Sequence, residues 1–506
     1  MKKTLLGILV FMLIITLFGC DTAETDNETS ENATSNVETT AGDSFETTSS
    51  DMFNDSDLSD AYNEDECVKI ILTNQSQTIS SAGIYLISGS LENGQIIVDC
   101  GDDDKVQLIL DGVNINCDYS APIYIKNADK VILTLANDTD NYLSVSADIS
   151  NNADSVDSVI FSKSDITFNG SGMLTITSDY THGIVGKDDV KFTNGTYNIT
   201  VSNDGIQAND SIRTINAQIN ITSGTDGIQT KNNEDEEKGF IYCENTTMNL
   251  YTTQDAISAT NYVYIVSGNY NIDSDTDGIS ADTFIKIMGG TFMISTGGGY
   301  QGVLNSITLG EGSGNTISET DKLTSSMKAI KSVNIIIVQG DITISSYEDA
   351  LNADNNITIS DGTIVINSGD EAFTAENTVT INGGTITIEN GYEGIEGKYI
   401  IINGGEVTIN VLDDGLNGNE TTSVVTISGG KLSVTCQGDG IDSNGDLVIS
   451  GGYIVLNVSA IYSGGDGNID VTGTITYTDG TIVDENGDSI DPTEQPGNTD
   501  KTRNSH

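Results

Sequence analysis

Residues 203–230 read NDGIQANDSIRTINAQINITSGTDGIQT, and this stretch decides the fold. Asp204-Gly205-Ile206 opens it, and Asp226-Gly227-Ile228 returns 22 residues later. Between them, Ile alternates with Thr, Asn or Gln in short runs such as Ile219-Asn220-Ile221-Thr222. Alternation with a period of two marks a half-buried strand, and the intervening Asn, Asp and Gly mark turns. A unit this short cannot bury its apolar side chains alone, so it must stack on copies of itself.

The unit recurs along the chain. A small residue followed by a large apolar one appears at Gly183-Ile184, Gly205-Ile206, Gly227-Ile228, Ala256-Ile257, Gly278-Ile279, Gly302-Val303, Ala329-Ile330, Ala350-Leu351, Ala372-Phe373, Gly394-Ile395, Gly415-Leu416, Gly440-Ile441 and Ala460-Ile461. The commonest interval is 22 residues, with insertions at Lys231 to Lys238, Leu304 to Ser326 and Asn419 to Ser423. A leucine-rich repeat has a similar length, but its Leu/Asn consensus is absent. The pattern predicts an all-β chain, a right-handed single-stranded parallel β-helix (β-solenoid) of about 22 residues per coil, each coil stacked at about 4.8 Å on the next. The large residue points inward. The small one alternates between Gly and Ala, so it answers to crowding, not to a left-handed backbone that Ala could not adopt.

The residue before each small one reads His182, Asp204, Asp226, Asp255, Asp277, Gln301, Lys328, Asp349, Glu371, Glu393, Asp414, Asp439 and Ser459. Stacking would place these acids in one file, with second acids beside them at Glu348, Asp370 and Asp413. Neighbouring carboxylates about 5 Å apart repel by roughly 1 kcal/mol in water and 3 to 4 at an effective dielectric of 20. Raised pKa values, interleaved cations or splayed side chains would relieve this. Hard divalent cations suit such oxygen ligands, so calcium is the expected cofactor, at Asp204, Asp226, Asp255, Asp277, Asp349, Glu371, Glu393, Asp414 and Asp439. Tyr180, Tyr300, Tyr347 and Tyr392 lie beside the file and offer rings to the apolar face of a sugar.

The rest of the chain sets the surroundings. Lys2 and Lys3, an apolar run from Leu5 to Phe18, and Leu17-Phe18-Gly19-Cys20 resemble a bacterial lipoprotein signal with its lipobox. This assigns residues 1–20 to a signal peptide, lipidation to Cys20, and the protein to the extracellular face of the cell membrane, held through lipid alone. Residues 21–63 are rich in Asp, Glu, Ser and Thr and read as a flexible linker; 64–483 read as the β-helix and 484–506 as a disordered tail. A net charge of −55 argues against nucleic acid as a partner. Cys67, Cys100, Cys117, Cys243 and Cys436 include no CxxC pair, and one disulfide among the first three is open.

Several blocks resemble a known family. They include Ala82-Gly83-Ile84-Tyr85-Leu86-Ile87-Ser88-Gly89, Leu110-Asp111-Gly112-Val113, Ala121-Pro122-Ile123-Tyr124, Tyr392-Glu393-Gly394-Ile395-Glu396-Gly397 and Asp413-Asp414-Gly415-Leu416-Asn417. Over roughly residues 66–480 the chain is similar to clostridial-type carbohydrate-binding parallel β-helix lipoproteins. That resemblance implies bound calcium, plant-wall polysaccharide (cellulose or acidic, polygalacturonate-like sugar) as the partner, and a polysaccharide-lyase-like fold. Asp349-Ala350-Leu351 and Glu371-Ala372-Phe373 depart from the family's usual corner, and Gln301 and Lys328 interrupt the acids.

Three functions follow. The first is a non-catalytic surface protein that binds polysaccharide. The second is a calcium-dependent pectate-lyase-like β-eliminase, whose base would be Lys398 beside Glu393 and Asp414, with Lys187 and Lys231 in equivalent places. The third is a structural adhesin stiffened by calcium.

Overall fold

The computed structural model describes residues 42, 44–150, 152, 154–303, 325–459 and 467–494, all within one compact unit, Thr40–His506. The signal segment, Cys20, Ala460-Ile461 and the end of the tail lie outside the described residues. The strands stack in three parallel ladders, one for each side of the coil. The first runs through Ile206–Ala208, Ile228–Thr230 and Ile257–Ala259. The second runs through Ser211–Ile215, Phe240–Glu244 and Tyr262–Ile265. The third runs through Gln218–Ser223, Thr246–Thr252 and Gly268–Ser274. This is the expected parallel β-helix.

Register explains the repeat. Ile184, Ile206, Ile228, Ile257 and Ile279 pair in succession, and each is fully buried. On the third ladder Ile199, Ile221, Leu250 and Ile272 do the same, while the residues between them face out. Burying one such side chain stabilises by about 1.5–3 kcal/mol, so the inner columns supply most of the driving force. The small residue is set by crowding, as expected. A Cβ on Gly205 would lie 2.6 Å from the Gly227 carbonyl oxygen, and one on Gly394 would lie 2.3 Å from that of Gly415. Ala256, Ala329, Ala350 and Ala372 fit and are fully buried.

Two expected rungs are corrected. Ile279 pairs directly with Ile330, so Gln301-Gly302-Val303 makes no rung of its own and belongs to one long insertion. Ile441 pairs with Ile469, which places Asn468-Ile469 on the last rung, and Gly467, whose N–H donates to Asp439 Oδ1 at 2.6 Å, takes the place in the file expected for Ser459. Both triplets match the small-large pattern by composition alone.

The expected linker boundary at 63 also moves. Short helices at Ser49–Met52 and Asp55–Leu58 lie in an arm that crosses the outer face of the second ladder. Phe45, Met52 and Phe53 cover Phe240, Tyr242, Tyr262, Tyr264 and Phe284. Arg213 donates to the Met52 carbonyl at 3.1 Å. Farther along, Asp57 is fully buried, bonded to Lys130 and to Thr167 (2.6 Å), with Lys191 at 3.6 Å. At the other end Ile490 bonds back to Ile482 at 2.9 Å and packs on the core, so the start of the expected tail is folded. Cys67, Cys100 and Cys117 are free thiols, and no disulfide joins them.

Candidate functional site

The turn from the third ladder into the first forms a corner, and stacking carries the acids down it. The file runs Asp204, Asp226, Asp255, Asp277, Lys328, Asp349, Glu371, Glu393, Asp414, Asp439, since the inner residues two places on are in register. The aspartates have a backbone task that composition did not reveal. Asp255 N–H donates to Asp226 Oδ1 at 3.0 Å, Asp277 N–H to Asp255 Oδ1 at 3.1 Å, Lys328 N–H to Asp277 Oδ1 at 2.8 Å, and Asp439 N–H to Asp414 Oδ1 at 2.6 Å. Each carboxylate thus satisfies a corner N–H of the next coil that no strand carbonyl reaches.

The second oxygens meet different charged neighbours along the file, and Asp204 Oδ2 is buried without a hydrogen-bond partner. His182 lies 3.2 Å from Asp204 and Lys231 3.9 Å from it. Burial pushes Asp204 up, but His182, Thr225 and Lys231 outweigh it and hold it below the ordinary carboxylate value. Lys331 lies 3.5 Å from Asp277, and Lys328 bonds Asp349 at 2.6 Å. Asp226 has less help, and burial with Asp204 and Asp255 as neighbours pushes it up to about 7.

Beyond Asp349 the compensation is weakest. Ligand oxygens of Asp349, Asp370 and Glu371 lie within 4.8 Å of one another, as do those of Glu371, Glu393 and Glu396. Burial pushes Glu371 far up, helped by Asp349 and Asp370. Burial likewise takes Glu393 to about 8, against a bond from Asn417, and Asp414 to about 9, with Asp413 and Glu393 adding repulsion. Asp370 Oδ1 is buried without a hydrogen-bond partner. An all-oxygen donor set with an orphaned carboxylate oxygen fits a hard cation such as calcium. Asp349, Asp370, Glu371, Glu393 and Glu396 would hold it. Of these, Asp370 entered the sequence reading only as a second acid and Glu396 not as a ligand; its place one residue past the inner Ile395 was the available signal.

A family model described as "Carbohydrate-binding domain-containing protein" matches residues 73–265, 258–372 and 370–495. The chain belongs to this carbohydrate-binding domain family. A relative of that description from Acetivibrio thermocellus is 40% identical over 146 residues, 28% of this chain and 50% of the relative, so the match spans about half that protein's length. A solved structure titled as the polysaccharide lyase-like protein from C. thermocellum, gadolinium derivative, is 31% identical over 44% of this chain and 92% of that one, with a TM-score of 0.35.

In this carbohydrate-binding chain the four tyrosines do not form one platform. Tyr180 is exposed on the rung of His182, six rungs from Asp349, on the order of 30 Å at ordinary strand spacing. Tyr300 sits in the insertion, its N–H on Ser345 Oγ at 2.9 Å. Tyr347 and Tyr392 flank the acidic cluster, and burial with a bond to Asp413 pushes the Tyr392 hydroxyl well above the usual value. Lys398 does not pair with Glu393 or Asp414. It lies 3.1 Å from Glu420, which raises its pKa. An eliminating base needs the opposite shift, toward neutrality, and the ion pair with Glu420 works against it.

Proposed function

We propose that this protein is a non-catalytic receptor for plant-wall polysaccharide, lipid-anchored through Cys20 at the outer face of the cell membrane, which uses calcium at the acidic corner to bridge to uronate carboxylates. Membership of a carbohydrate-binding family supports the ligand class. The observation that carries the calcium reading is the Glu371–Glu393–Glu396 cluster, with the orphaned Asp370 oxygen beside Glu371. A divalent ion neutralises charges that otherwise repel within 4.8 Å, and it leaves coordination positions for a ligand carboxylate. This reconciles a −55 chain with an acidic polymer.

The test is retention of the full-length protein on insoluble polygalacturonate, with and without chelator. Retention that falls in chelator and returns with calcium is the expected result. Equal retention in chelator would remove the calcium bridge. Release of unsaturated product, read by ultraviolet absorbance, would replace this reading with the lyase.

A further inference from the structure

We infer that the open outer face of the third ladder, around strands Thr196–Val201, Gln218–Ser223 and Thr246–Thr252, is a second docking surface, for a neutral extended polysaccharide. This rests on the reading above that the protein binds wall polymer, and assigns the neutral part of that polymer to the uncharged strands that lead into the acidic corner, not to the corner itself.

The first observation is charge. These three strands, with Met173–Ser178 before them, contain no ionisable Asp, Glu, Lys or Arg, in a chain where such residues make up 19%. The next strand, Gly268–Ser274, bounds this neutral zone with exposed Asp273, in register with Tyr251. A neutral polymer docks on the zone without meeting local repulsion, whereas a polyuronate would approach a −55 protein with no cation site beneath it.

The second is organisation. Asn198, Asn220 and Asn249 stand in register on successive coils. Asn220 Nδ2 donates to Asn198 Oδ1 at 2.8 Å, and Asn249 Nδ2 to Asn220 Oδ1 at 2.7 Å. The amides are therefore fixed in one orientation, and each retains a second N–H for a ligand hydroxyl. Beside them Thr200, Thr222 and Tyr251 form an exposed row, Tyr251 at 47% exposure. Asn271 Nδ2 donates to the Tyr251 hydroxyl at 3.3 Å, which steers the phenol along the face. The result repeats donors and acceptors at about 4.8 Å per coil, a regular array on which weak bonds to successive sugar units add.

The third is what occupies the other sides. The arm covers the second ladder, and the outward row of the first bonds the acids directly through Ser280 and Asn417, whereas the third ladder only leads into them. Among the described residues, no such cover lies over Asn198, Asn220 and Asn249.

The test compares Tyr251→Ala and Asn220→Glu with wild type and with Glu393→Gln, each as full-length protein with unchanged circular dichroism. The probes are insoluble cellulose, in calcium and in chelator, and polygalacturonate in calcium. Both face variants should weaken retention on cellulose roughly tenfold, equally in calcium and chelator, and leave polygalacturonate unchanged. Glu393→Gln should do the reverse. Wild type that binds polygalacturonate but not cellulose would overturn the inference and leave the receptor reading standing; binding to neither would end both. Cellulose retention untouched by both variants, or a dimer that the variants convert to monomer by sedimentation, would show that the face is not a polysaccharide surface.

Discussion

Replacing Glu393 by Gln should stabilise the protein in chelator at high pH and weaken it in calcium. Glu393 has ligand oxygens within 4.8 Å of those of Glu371 and Glu396. At that distance each pair of full charges repels by about 1 kcal/mol in water and 3 to 4 at an effective dielectric of 20. Glu371 is pushed far up and stays protonated at pH 9, so one charged pair remains, with Glu396; the corner is partly solvated, so the low end applies, about 1 kcal/mol. The cost depends on pH. Burial raises the Glu393 pKa from 4.5 to about 8, so the folded chain holds this proton more tightly than the unfolded one. Its stabilising contribution is full below pH 4.5 and is lost as pH rises through about 8. Wild type in chelator should therefore lose stability between pH 5 and pH 9, and Glu393→Gln should flatten that decline. For a chain this long about 1 kcal/mol moves Tm by about 1 °C, so the variant should melt about 1 °C higher at pH 9 and the same at pH 5. In calcium the order should invert, since a ligand at a hundred times its Kd stabilises by about 2.7 kcal/mol and the variant loses a ligand oxygen. Scanning calorimetry reads all four conditions. A wild-type Tm that rises with pH in chelator, or a variant that melts lower at pH 9, would refute the reasoning.

Further outcomes follow from the packing. Asp57→Ala removes one partner of a buried ion pair, which costs up to about 3–5 kcal/mol unless the arm lifts and hydrates Lys130 and Lys191; limited proteolysis between residues 44 and 60 should become at least a hundredfold faster. Gly205→Val should cost about 1–3 kcal/mol by overpacking against Gly227 and Ile221, while Ala256→Gly, at an equivalent rung, should cost less, as read by urea unfolding. Ile221→Ala opens the inner column and should cost about 2–5 kcal/mol in the same assay. Lys398→Ala should leave polygalacturonate retention unchanged, because its partner is Glu420.

The solenoid was legible because its cause is local. One inward residue per coil, preceded by a small one, must recur wherever a coil closes, and insertions change the interval without touching the pattern. The same triplet arises by chance where no coil exists, which is why Gln301-Gly302-Val303 looked like a rung; only pairing of Ile279 with Ile330 excludes it. The acidic file was legible as a file, but its meaning was incomplete. Repulsion between carboxylates can be read from spacing, whereas the backbone N–H that each aspartate accepts depends on how the corner turns. The docked arm was missed because a few apolar residues in an acidic stretch carry little weight in composition. Phe45, Met52 and Phe53 were present, and Asn54 with Asp57 makes a helix-capping pair, which was the signal available.

The measurement that bears most directly on the acidic corner is calcium titration by calorimetry at pH 7 in two buffers of different ionisation enthalpy. Glu393 and Asp414, held at about 8 and about 9 without metal, should surrender protons as the ion enters, so the heats should differ between buffers by at least one proton released per bound calcium, and Glu393→Gln should reduce both affinity and release. No heat at millimolar calcium, or binding with no proton released, would contradict the assignment of a cation to this corner.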